Sequence, residues 1–91
     1  MSEREKAQHV LETLNTAASA EPKEALVMLN GLMELVRSGG GDQDNLEVDE
    51  ARSAAFLAIC EVGKALHRGQ PVEPPWSGAI AATEHWVTMA K

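Results

Sequence analysis

Few residues of this 91-residue chain have chemical reach: a single cysteine, Cys60, histidines at 9, 67 and 85, and one dense run of acids. Cys60 and His67 invite a nucleophile-and-base reading, with Arg52 as a third polar group. On one helix a seven-residue separation puts thiol and imidazole on a shared edge but two turns, about 10.5 Å, apart along the axis. A working dyad needs hydrogen-bond reach of about 3 Å, so the pair fails within one helix. Only a pocket enclosed between two subunits would bring Cys60, His67 and Arg52 together.

The acids Asp42, Asp44, Glu47, Asp49 and Glu50 suggest calcium. Counted from Asp42, an EF-hand loop would need an oxygen ligand at position 5, glycine at 6 and glutamate at 12, where this chain has Leu46, Glu47 and Ser53. A solvated loop is the better reading, with Asp49 or a neighbour capping the helix that follows and the acids near its positive end. Asp44-Asn45-Leu46 resembles the Asp-Ser-Leu triplet of acyl carrier proteins, which implies a small acidic helical carrier. Asn45 has no hydroxyl to bear phosphopantetheine, so that chemistry is absent. Glu5 and His9 have i,i+4 spacing, the spacing of an ordinary ion pair, and the three histidines lie too far apart in sequence to assemble a zinc site. The glycines after Ser38 lead into acids that would repel a phosphate. No metal or cofactor is expected, and no catalytic motif; the chain reads as a non-enzyme.

The elements that position these residues are helical. Ala7, Val10, Leu11, Leu14, Ala17 and Ala18 share an arc of about 120° on a helix over 3–18, with His9 on its polar side. Pro22 breaks that helix and opens a second over 22–37. Its apolar arc of about 180° includes Met28, Leu29, Leu32, Met33 and Val36, with Val27 outside. A third helix, 48–68, carries an arc of about 200° built on small residues, leaves Leu57 on the exposed side, and has Gly69 as its cap. The fourth, 75–90, sets Trp76, Ala79, Ile80, Thr83 and Trp86 on one arc of about 180°, with His85 opposite. Residues 1–91 thus form one all-α domain, a small bundle of about four helices with an acidic, Gly-rich loop at 38–47 and a Pro-rich connector at 70–75.

Composition narrows the function. The net charge is −6, from 14 acids and 8 scattered bases, which disfavours direct binding of nucleic acid or an anionic membrane. No apolar run spans a bilayer, and the charged N-terminus lacks a secretory core, so a cytoplasmic location is expected. A chain this short buries only about 60–65% of its unfolded surface. The broad apolar arcs of the second and third helices exceed what one small core needs, which predicts a helical homodimer. The expected function is that of a small regulator that binds and inhibits or sequesters another protein. One such role is an anti-activator that blocks a transcription regulator's dimerisation or DNA binding. Trp76, Trp86, Ile80, Leu57, Met28 and Met33 are the expected partner contacts, because Trp dominates binding hot spots and Met adapts to varied surfaces. The alternative is a dimeric small-molecule binder or minor enzyme with its pocket at the subunit interface.

Overall fold

Ser2 begins the first helix, its hydroxyl accepting a hydrogen bond from the Glu5 amide at 3.1 Å. Glu3 and Glu5 add negative charge at the positive end of the helix dipole. In the computed structural model, which describes residues 2–38 and 46–90, this helix is α1 (Glu3–Ala17), followed by α2 (Pro22–Ser38), α3 (Leu46–Arg68) and α4 (Glu73–Met89). Among the described residues there are four helices and no strand. No described helix is long and apolar enough to cross a membrane.

Each boundary has a local cause. The α1–α2 turn leads to Pro22, whose missing N–H costs nothing in a first turn, and the Ala25 amide then closes on the Glu21 carbonyl at 2.8 Å. At the end of α3, Gln70 N–H reaches the Ala65 carbonyl at 2.9 Å and Gly69 N–H reaches that of Leu66 at 3.4 Å. With Gly69 at φ +68° this is a Schellman cap. Two starts fall two residues earlier than the apolar periodicity predicts. α4 begins at Glu73, because Pro74 and Pro75 occupy the first turn, where no donor is needed. α3 begins at Leu46, so Asp49 lies inside the first turn and does not cap the helix. Asp42, Asp44 and Asn45, with most of the Gly-rich loop, lie outside the described residues.

α4 packs against both α1 and α3, and α2 against the same two helices from the other side, leaving α1–α3 and α2–α4 as diagonals. The starts of α1 and α3 meet the end of α4 through Glu3, Arg52 and Trp86. The opposite ends of α1 and α3 meet the starts of α2 and α4. Direction therefore alternates around the ring, as short connections require, and the chain is an up-down-up-down four-helix bundle measuring 39 × 21 × 17 Å.

Stripes spaced by three and four residues fill the centre: Val10, Leu14 and Ala17 from α1; Ala25, Leu29, Leu32 and Val36 from α2; Ala51, Ala55, Ile59 and Val62 from α3; Ala79, Thr83 and Trp86 from α4. The small side chains of Ala51, Ala55 and Ala79 suit the close packing of α3 on α4, and they share one buried core with the Trp86 ring. Thr83 is buried without loss, since its hydroxyl donates to the Ala79 carbonyl one turn back at 2.8 Å.

Candidate functional site

The two indoles lie inside the bundle. Trp86 is fully buried and donates its Nε1–H to Glu3 Oε1 at 3.1 Å, while Trp76 keeps only 8% of its surface exposed. Both are covered because α4 is clasped between α1 and α3. The Glu3 carboxylate also accepts from Arg52 at 3.3 Å, and Arg52 in turn bonds Asp49 one turn away on its own helix. This network fastens α1, α3 and α4 together at one end of the molecule. Arg52 thus belongs to a structural cluster, well away from Cys60.

Cys60 and His67 do come to a common surface, one that neither helix makes alone. Residues 26, 30 and 33 of α2 and residues 60, 63, 64 and 67 of α3 line a shallow groove of about 500 Å³ between the two helices. Its floor is apolar and soft: Leu26, Met33, Cys60 and the bare backbone of Gly63. The Cys60 thiol donates to Met33 Sδ at 3.5 Å, a thioether that is only a weak acceptor. Lys64, His67 and Arg68 gather at the end of the groove where α3 terminates; Lys64 is paired with Glu61 at 3.4 Å.

The two helices that form the groove also expose large apolar side chains. Leu57, one turn before Cys60, is 64% exposed, and Val27, beside Leu26, is 69% exposed. Both are the outliers that helical periodicity marks. A single exposed leucine is ordinary on any protein surface. Leu57 differs in that its helix also carries Cys60 and Gly63, which line the apolar groove.

The remaining expected contacts divide by face. Met33 lines the groove. Met28 sits half-buried on the opposite flank of α2, and Ile80 is half-buried on α4, a helix that does not border the groove. The six residues therefore do not form one surface: Met33 lines the groove, Leu57 is exposed on α3, and both tryptophans belong to the core. Leu26 and Gly63 also line the groove, and Val27 is exposed on α2. Of these, Val27 carried a signal in the sequence, as an apolar residue outside the arc of its helix, whereas membership of a groove between two helices leaves no mark on either helix alone. Among the described residues no three His, Cys, Asp or Glu side chains converge closely enough to hold a metal ion.

No protein-family model matches the chain, and neither a curated protein nor a solved structure is significantly similar to it. The functional reading accordingly rests on the bundle and on the chemistry of its surfaces.

Proposed function

We propose that this protein is a non-enzymatic regulatory module that binds another protein by taking an apolar helix of that partner along its α2–α3 face. The observation that carries the reading is the groove lined by Leu26, Met33, Cys60 and Gly63, on the same two helices that expose Val27 and Leu57. Exposed apolar surface of this kind marks interaction sites, and methionine and cysteine side chains adapt to differing partner shapes. Grooves between adjacent helices commonly receive an amphipathic helix through anchors spaced one turn apart. The basic cluster at the α3 end favours a partner helix with an acid near one terminus. Occupying a helix that the partner uses for its own assembly would inhibit it, as an anti-activator does.

The homodimer expected from helix-face width falls on the same surface. Two copies would meet through α2 and α3 about a two-fold axis, so self-association and partner binding exclude one another. The dimer is then the resting form, which the partner displaces.

Site-specific photocrosslinking in the source cells tests the reading. A crosslinking residue at 57 or 27 should give one dominant adduct that the same residue at 85, on the outer side of α4, does not give. Gly63→Ala sharpens the test. No atom lies within 4 Å of the added methyl, so it fits the isolated fold while raising the groove floor. The adduct should weaken in that variant although the protein remains fully folded. Equal crosslinking from 57, 27 and 85, or none from 57 and 27, would rule out the α2–α3 face as the binding surface.

A further inference from the structure

At the end of the bundle opposite the Glu3–Arg52 network, the helices border a second cavity, partly open to solvent. The α1–α2 turn, the end of α3 and the start of α4 surround about 400 Å³, within the range of roughly 300–1,000 Å³ typical of small-ligand sites. The space exists because the side chains around it are short: Ala17, Ala20 and Ala25 on one side, with Leu66, Val72 and the Trp76 ring opposite.

Trp76 supplies the second observation. Its indole N–H is sealed from solvent and has no acceptor among the described residues. Trp86, in the same helix and fully buried, has its N–H satisfied by Glu3. A buried donor left unpaired is an exception that folded proteins rarely tolerate, because the desolvation cost is not recovered. The Trp76 ring lines the cavity, and an occupant carrying an acceptor would be favoured by the bond it completes once the ring turns its donor toward it.

We propose that this cavity is a binding site for a neutral, mainly hydrocarbon molecule of about two fused rings carrying one carbonyl acceptor, which takes the Trp76 N–H. Charge selects against anions, since Glu73 is the ionised group at the rim and the chain bears a net charge of −6. The apolar interior selects against cations, whose desolvation it does not repay. The site is separate from the α2–α3 face, so the two are tested independently.

The chain has two tryptophans, so a ¹⁵N-labelled sample gives two indole N–H signals, assigned by Trp76→Phe. The full chain is titrated with 1-tetralone and, in parallel, with tetralin, which has the same ring skeleton without the carbonyl. The ketone should move the Trp76 signal downfield in a saturable way and leave Trp86 unmoved, whereas tetralin binds more weakly and gives no downfield shift. In Trp76→Phe the preference for ketone over hydrocarbon should fall about five- to tenfold, the worth of one buried hydrogen bond. Ala20→Leu, which fills the cavity from the turn, should abolish binding of both while the Trp86 signal stays in place. An unmoved Trp76 signal at the solubility limit, equal binding of ketone and hydrocarbon, or undiminished binding in Ala20→Leu would each overturn the proposal.

Discussion

Glu3 shows how much one side chain settles here. It stands at the first position of α1 and accepts from two donors 49 and 83 residues away, the Arg52 guanidinium and the Trp86 indole. Glu3→Ala strands a fully buried N–H and costs a cation one of its partners, a loss of about 1–3 kcal/mol. Glu3→Gln keeps an acceptor for the indole and should cost about half as much or less. Urea denaturation of the two variants checks this, and equal losses would mean that the indole bond contributes nothing. None of this was legible in the sequence, where Glu3 carries no signal and Arg52 reads as a possible pocket residue. Helical periodicity reports which face a residue occupies, but not which residue of a distant helix it meets. Leu57 and Val27 were legible for the complementary reason, because exposure on a helix is a property of its own face.

At the scale of elements, punctuation was the clearest signal. Pro22, Gly69 and the Pro74–Pro75 pair act on backbone geometry within one turn, so their effects can be read without knowledge of the fold. The glycines divide by the same logic. Gly69 sits at φ +68°, where an L-residue is strained, so Gly69→Ala should destabilise by about 1 kcal/mol despite open space around the new methyl. Gly31 and Gly78 are helical and equally unobstructed, so alanine at either should stabilise by roughly 0.5–1 kcal/mol. Thermal melts of the three single variants should therefore shift in opposite directions. A Gly69→Ala protein as stable as the parent would contradict the cap. The apolar arcs were legible too, but the reading of the tryptophans as contacts rested on residue type, which does not report how far neighbouring helices cover them. A broad arc on α4 signals a helix enclosed by two neighbours as readily as one with surface to spare, and only the ring order of the helices separates these cases.

The whole molecule is unevenly held. α4 is clasped by α1 and α3, and the Glu3–Arg52–Asp49 network locks their shared end. α2 packs more lightly on its neighbours, with its flank residues Leu26, Met28, Met33 and Leu35 only half-buried. The helix that borders the proposed binding face is thus also the one whose detachment breaks the fewest interactions. Such elements exchange their amides through partial opening, below the free energy of global unfolding. Native-state hydrogen exchange in rising, sub-denaturing urea should show the amides of α2 from Leu29 to Val36 opening at lower free energy and with a smaller urea dependence than those of α3 from Ala55 to Val62 and of α4 from Ala79 to Trp86. An occupant of the α2–α3 face bridges α2 to α3 and should raise the α2 values toward the global one. If the α2 core amides in the free protein merge with those of α3 and α4 throughout, the bundle unfolds as one unit. Partner binding would then have to act on a rigid α2 already in its final place.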